Sequence, residues 1–419
     1  MAKKPKSGIE DAIKTVENEI NEHKDDKRVL VALDVGSNWT RAGMVGEGHD
    51  YTTTRFPSLI AVPKDGRAVK ERLDGHTTEV EGKRYVVGSD VVEFHDFVDG
   101  IEHPSKRGEW SADTDRIRVL AAKALNNLGL RDTEAHVVWC VPSKDEAVAQ
   151  RYLQISRELG NLVPGLTHAG TLTMYEPEAA AFGLKFEMYA LLFNGGGEVS
   201  GASVLPPGDI RSFDERHHRV LKEEGDGAND LTRRLHQIVR ERLSAKGLRP
   251  DQRQYLAPEL VIAALKQELL ANENLDHVDF GANYVAEDRA LAQKLLERHK
   301  MTVGKDGVVT LSVGLRRPTM NDLRAEVEKL HDRYVGRVIV PGREILETVS
   351  PEGVTAIYEG NLILTGAGYT PARTKQRLSD ALTDGVYGTP KLAFVADPFA
   401  TQRGALVFTS RADSDAFLK

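Results

Sequence analysis

Apolar residues fall into short continuous runs and helix-spaced stripes that alternate along the chain, the order of an α/β protein. Val29 to Leu33 is an apolar run that ends in Asp34, turns through Gly36 to Asn38 and resumes from Arg41 to Val45. That pattern predicts a hairpin whose turn presents backbone N–H groups above a carboxylate. Leu120, Ala124, Leu125 and Leu128 predict a helix, and Val137 to Val141 a buried strand after it. Ser143 and Glu146 then read as a capping box, with Val148, Tyr152, Ile155 and Leu159 along one face of the following helix. Tyr189 to Phe193 is a short strand stopped by Gly195, Gly196 and Gly197. From 210 to 355 the chain is more helical and polar, with stripes at Leu231, Leu235, Ile238 and at Leu323, Val327, Leu330. Strand character returns at Asn361 to Leu364, which runs into Thr365-Gly366-Ala367-Gly368, and at Lys391 to Val395 before Asp397-Pro398.

Residues 1–28 differ from the rest. Lys3, Lys4 and Lys6 precede a stripe at Ile9, Ile13, Val16 and Ile20, interspersed with Glu10, Asp11, Glu17, Glu19 and Glu22. Three readings stay open: a frayed tail, a membrane-surface helix, or an arm that docks its stripe on this subunit or another. The acidic polar face disfavours the membrane reading, because it would repel anionic lipid.

Composition narrows the class. At 419 residues the chain has room for two domains or one large bilobed unit. Its formal charge of −7 argues against a general nucleic-acid binder. One cysteine, Cys140 in an apolar run, allows no internal disulfide and no Cys-rich metal site. No run approaches membrane-span length and no signal-peptide core is evident, so the expectation is a cytoplasmic protein without direct membrane insertion.

The candidate chemistry lies in turns after strands. The Asp34 turn combines what Mg²⁺ and polyphosphate need, a carboxylate for the hydrated metal and donors for the oxygens. The turns at Gly195–Gly197 and Gly366–Gly368 can each bring backbone close to an anion. No G-x-x-x-x-G-K-S/T sequence is present, and no G-x-G-x-x-G leads from a strand into a helix, which removes the P-loop and dinucleotide-fold readings. His217 and His218 lack a carboxylate or cysteine at ligand spacing and read as a solvated pair.

Taken in order, the turns resemble the nucleotide motifs of the actin, heat-shock chaperone and sugar-kinase superfamily over about residues 29–410. Asp34-Val35-Gly36-Ser37 with Thr40 resembles the first phosphate loop, and Glu176-Pro177-Glu178-Ala179-Ala180-Ala181-Phe182-Gly183 the first connecting helix. Gly195-Gly196-Gly197 stands where the second phosphate loop does, and Leu364-Thr365-Gly366-Ala367-Gly368 resembles the adenosine loop. Asp397-Pro398 and Arg403-Gly404-Ala405-Leu406 resemble the second connecting helix. Thr40-Arg41-Ala42-Gly43, Phe56-Pro57-Ser58, Gly227-Ala228-Asn229-Asp230-Leu231-Thr232 and Ala264-Leu265-Lys266-Gln267 point to actins within that group. Tyr85-Val86-Val87-Gly88 and the Arg107-Gly108 turn are similar to magnetosome-type bacterial actins.

The resemblance implies an α/β actin-like fold, with two lobes of mixed sheet and flanking helices and a nucleotide cleft between them. Its implied division is 29–185 with 388–419, including a small subdomain at about 50–105, and 186–387, including a helical subdomain at about 233–320. It implies ATP or ADP with Mg²⁺, Asp34 holding the metal through water and Glu176 orienting the attacking water. Gly36, Ser37, Asn38, Thr40, Arg41, Gly195, Gly196, Gly197, Gly227, Lys266, Gln267, Gly366, Ala367, Gly368 and Tyr369 are the implied nucleotide contacts. The second loop departs from the family: its opening Asp is replaced by Phe193, with Asn194 one position late and Glu198 beyond the glycines. Either a small loop shift lets Asn194 or Glu198 substitute, or hydrolysis is slow or absent. The function implied is head-to-tail self-association into filaments, with a monomeric small-molecule kinase, a chaperone or a non-polymerising adaptor as the competing classes.

Overall fold

The computed structural model describes residues 8–36, 39–94, 97–102, 105–106, 109–110, 114–142, 146–184, 188–195, 200–207, 218–220, 301–303, 309–311, 323–366, 372–395 and 399–411. The chain divides into two units, one of 1–192, 203–218 and 397–419, the other of 193–202 and 219–396.

The first unit begins with helix α1 (Gly8–Asn21). Strands β1 (Val29–Val35), β2 (Trp39–Gly46) and β3 (His49–Pro57) follow as an antiparallel meander. A small sheet comes next, built from β4 (Ile60–Pro63), β5 (Thr77–Val80), β6 (Lys83–Val87) and β7 (Val98–Glu102) in the order β5-β6-β4-β7. Helix α2 (Thr114–Asn127), strand β8 (Glu134–Val141), helix α3 (Glu146–Arg157), strand β9 (Thr167–Tyr175) and helix α4 (Glu176–Phe182) complete the main layer. The main sheet runs β9-β8-β1-β2-β3, with β9, β8 and β1 parallel.

Every residue of β1 is buried, as expected for a central strand covered on both faces. On one face Val31, Leu33, Val137 and Trp139 pack with Leu120, Leu125, Tyr152 and Ile155 from α2 and α3. The predicted stripe on α3 needs one correction. That helix ends at Arg157, and Leu159 opens a separate turn, Leu159–Leu162, while still joining the same core. Ser143 of the expected capping box lies outside the described residues.

Helix α1 lies on its own domain. Ala12, Val16 and Ile20, an i, i+4, i+8 seam, are buried, whereas Ile13 is only half-buried. Asn21 Oδ1 accepts the Tyr51 N–H of β3 at 2.8 Å. The side chains of Glu17 and Glu19 reach Arg403 (3.6 Å) and Arg411 on the last helix, α8 below.

Another five-stranded sheet is formed by β10 (Ala190–Gly195), β11 (Ser200–Leu205), β12 (His218–Val220), β13 (Leu362–Thr365) and β14 (Leu392–Val395), in the order β12-β11-β10-β13-β14. The described helices of the second unit include α5 (Leu323–Leu346), α6 (Pro351–Gly360) and α7 (Ala372–Leu382). Ser350 caps α6 by accepting the Gly353 N–H, with Pro351 at the first helical position. Helix α8 (Ala400–Arg411) returns to the first unit. Among the described residues no helix is long and apolar enough to cross a membrane.

Candidate nucleotide site

Asp34 stands one residue before the end of β1 and is buried. Its cross-strand neighbour in the antiparallel direction is Arg41, whose Nη1 donates to Asp34 Oδ2 at 3.0 Å. Gln402 of α8 donates its Nε2 to the same oxygen, also at 3.0 Å. Both bonds therefore fall on Oδ2, and Oδ1 lies toward the Gly36 turn, 3.6 Å from where a Cβ on Gly36 would stand. Burial pushes the Asp34 carboxyl above its ordinary value, against the opposing pull of Arg41 and the Gln402 hydrogen bond. The turn closes through the Gly36 N–H to the Trp39 carbonyl at 3.1 Å. A Cβ at Gly36 would sit 2.9 Å from that carbonyl oxygen, so the backbone approach requires glycine.

Thr40, an expected nucleotide contact, is buried with its hydroxyl 2.9 Å from that of Ser58. It braces the entrance to the small sheet. Glu176 opens α4 at the carboxyl end of β9 and is half-buried. Because β1, β8 and β9 are parallel and in register through Asp34, Cys140 and Met174, Asp34 and Glu176 both lie at the carboxyl edge of the sheet, where α/β folds bind ligands. Both carboxylates act on the buried Cys140 thiol and, after burial itself, push its pKa well up. The thiol is thus kept protonated and inert.

The two segments that resemble connecting helices cross at glycines. A Cβ on Gly404 of α8 would lie 1.7 Å from the Ala179 carbonyl oxygen of α4, and one on Gly183 would lie 2.2 Å from the Ala400 carbonyl oxygen. The crossing seats α8 against β1 and carries Gln402 to Asp34.

In the second unit, Gly195 ends β10 and Gly366 follows the adjacent strand β13. Gly366 has φ +93°, and a Cβ there would fall 2.3 Å from the Gly195 carbonyl oxygen. Two turns far apart in sequence thus meet backbone to backbone, and the approach requires glycine at position 366.

Phe193 has no exposed surface. Its ring lies against Gly342 of α5, where a Cβ would come within 2.3 Å of the ring. Alternation along β10 leaves Asn194 as its one half-buried residue, on the opposite face from Phe193. The residue in place of the loop's acid is therefore a core anchor matched to a glycine on the facing helix.

Ser37, Asn38, Gly196, Gly197, Gly227, Lys266, Gln267, Ala367, Gly368 and Tyr369 lie outside the described residues, as do Glu198, His217 and Asp397. Among the described residues no group of three His, Cys, Asp or Glu is placed to hold a metal. Water-mediated binding at a single carboxylate needs no such group. Gln402 is the functional side chain that sequence reading missed. It lies 368 positions from Asp34, and no local spacing signals the contact.

Residues 32–162 match the family model described as the N-terminal domain of actin-like proteins. No curated protein matches the chain. Among solved structures, a non-polymerising mutant of MamK bound to AMPPNP is similar at 16 % identity and a TM-score of 0.49, covering 93 % of this chain and 100 % of that one. That likeness is too distant to transfer any property. The matched segment holds Asp34, the Gly36 turn, Arg41 and strand β8, so the similarity to an actin-like N-terminal domain falls on the part of the chain that carries this carboxylate.

Proposed function

We propose that this chain is a cytoplasmic, nucleotide-binding bacterial actin that assembles head-to-tail into filaments, with Mg·ATP as the nucleotide and hydrolysis slow or absent. The observation that carries the reading is the Asp34 carboxylate, fixed on one oxygen by Arg41 and Gln402 with the other turned toward the Gly36 loop. The donor set fits a hydrated divalent cation: one oriented carboxylate oxygen beside a backbone turn, as Mg²⁺ retains most of its waters. When bound, the metal neutralises charge on the phosphates. In this reading Arg41 adds a guanidinium to the phosphate chain and Glu176 accepts a hydrogen bond from the attacking water.

Slow turnover follows from Phe193. Its ring is committed to the core and only neutral Asn194 is turned the other way on that strand, so the family's second acid has no replacement among the described residues of β10. Positioning a water is most of the catalysis in phosphoryl transfer, so losing one carboxylate costs orders of magnitude. A heterologous contact that does not close propagates a filament, and a nucleotide that binds one conformer more tightly gates it.

Light scattering and negative-stain microscopy of the pure protein test the reading. Polymer is expected with Mg·ATP, together with loss of Mg²⁺-dependent nucleotide binding in Asp34→Asn. Absence of polymer under every nucleotide and salt condition would reject filament formation. Phosphate release at the rate of dynamic bacterial actins would reject slow hydrolysis.

A further inference from the structure

Helix α8 carries Gln402 to Asp34, and two other helices hold it. At Gly404 and Gly183, α4 meets it backbone to backbone. That crossing fixes where the helices touch, but with no side chain at the contact it leaves the turn of α8 about that point to other contacts. Helix α1 supplies them. It packs on α8 and β3, buries Ala12, Val16 and Ile20, and brings Glu17 to Arg403 and Glu19 to Arg411. Those two arginines stand about 12 Å apart along the α8 axis, so α1 braces α8 over most of its length.

Gln402 and Arg403 are consecutive, and one residue turns a helix by about 100°. Gln402 faces β1, where it bonds Asp34, whereas Arg403 faces α1, with Glu17 at 3.6 Å. The Arg403 side chain is 2 % exposed, and burial lowers its pKa against the opposing pull of Tyr51 and Glu17. A guanidinium in such a place loses stability when a facing carboxylate is withdrawn. Release of α1 withdraws Glu17, and a turn of α8 that takes Arg403 toward water draws Gln402 off Asp34. Tyr51 of β3 gives a second link. Its N–H is bonded by Asn21 at the end of α1, and its ring and Gln402 crowd the same spot on β2: a Cβ on Gly43 would lie 3.1 Å from Tyr51 Cε2 and 3.5 Å from Gln402 Cβ. At 14 residues α1 is marginal as an isolated helix in water, so it is ordered when docked and unfolded when released.

We propose that α1 is a strap that regulates the nucleotide site: docked on α8 it keeps Gln402 on Asp34 and the carboxylate oriented for a hydrated cation, and released it lowers the affinity for Mg·nucleotide. Glu17 and Arg403 are positioning residues. The inference rests on the nucleotide reading above and adds the regulation of that site. Coupling between two binding events is reciprocal, so Mg·ATP tightens the docking of α1 by the factor that docking tightens Mg·ATP.

The test pairs hydrogen–deuterium exchange with calorimetric titration of the full chain. In the wild type, saturating Mg·ATP is expected to slow exchange of the α1 amides about tenfold, the value of one hydrogen bond to a charged group, and to slow that of α2 less. Val16 is 1 % exposed, and Val16→Asp puts a carboxylate under the seam. That variant is expected to free α1 and weaken Mg·ATP binding by the same factor, while the rest of the chain keeps its cooperative melt. If Val16→Asp fails to fold, the exchange measurement on the wild type decides. Exchange of α1 that ignores Mg·ATP, or slows no more than that of α2, overturns the coupling. So does a Val16→Asp chain whose α1 exchanges freely and which binds Mg·ATP as the wild type does; in both cases the nucleotide reading stands. A wild-type chain that binds no Mg·ATP rejects the nucleotide reading and the strap's role with it.

Discussion

Replacing Gly404 by alanine adds one methyl group to the interior of α8, and in most helices that change is favourable. Relieving glycine's backbone entropy is worth about 0.5–1 kcal/mol at an unconstrained helical position. At Gly404 the new carbon would stand 1.7 Å from the Ala179 carbonyl oxygen, 2.4 Å from the Gly183 nitrogen and 2.8 Å from the Ala179 carbonyl carbon. All three are backbone atoms, so no side-chain rotamer can relieve the clash and α4 and α8 must separate by more than 1 Å. Overpacking of this kind costs about 3 kcal/mol or more, which overwhelms the propensity gain. The displacement reaches the site, because Gln402 two residues earlier holds Asp34 through a 3.0 Å bond that such a shift breaks. A loss of about 3 kcal/mol lowers the melting temperature of a unit this size by about 6–12 °C. The internal control is Gly336, within α5, where a Cβ would meet nothing within 4 Å. Gly336→Ala should be neutral or stabilising by up to about 1 kcal/mol. The assay is thermal unfolding by circular dichroism, with Mg·ATP affinity as a second readout. A Gly404→Ala chain as stable as wild type would show that the helix crossing tolerates a side chain, and the account of α8 as a fixed support for Asp34 would fall.

Further outcomes are expected. Phe193→Asp, which rebuilds the family's acid on paper, should destabilise the second unit by about 4 kcal/mol or more and leave phosphate release no faster. The ring is core, and a carboxylate there would be buried under α5; a stable variant with accelerated hydrolysis would refute this. Ile20→Ala should cost about 2–4 kcal/mol by urea denaturation, since Ile20 is almost fully buried, whereas a mobile tail would show no change. Burial, then Arg28, holds His136 below its ordinary value, and burial, then Arg157 and His136, does the same to His168. Between the unfolded value near 6.5 and the lower folded one, the unfolded chain binds more protons. Their contribution is therefore full above about pH 6.5 and lost as pH falls. Urea midpoints from pH 7.5 to 5 should decline, and less steeply in His168→Gln; parallel slopes would remove these histidines from the account.

Much of the candidate site was legible because its parts are local. The β1 run, its terminal Asp34 and the glycine that lets β2 turn back are contiguous, and strand and turn chemistry act over a few residues. The stripes on α2 and α3 were equally visible because a helix repeats its face every three or four positions. The break at Glu158 was not, since Leu159 continues the hydrophobic pattern while opening a new turn. The glycine triplet after β10 and the glycines after β13 could each be marked as turns, yet nothing local says that Gly195 and Gly366 touch.

Phe193 shows the limit most plainly. From sequence it is a missing acid; in the fold it is a core ring whose space is made by Gly342, about 150 residues later. Gln402 on Asp34 and Glu17 beside Arg403 are of the same kind, partners chosen by helix crossing and docking. The amino-acid sequence by itself determined the elements, the turn glycines and the buried carboxylate at the end of β1, because those depend on backbone sterics and periodicity within a few residues. The tertiary structure alone decided which charges meet, which glycines must stay glycine and which oxygen of Asp34 is engaged. Those are matters of distance in space, and packing sets them to within an ångström between residues that the chain keeps far apart.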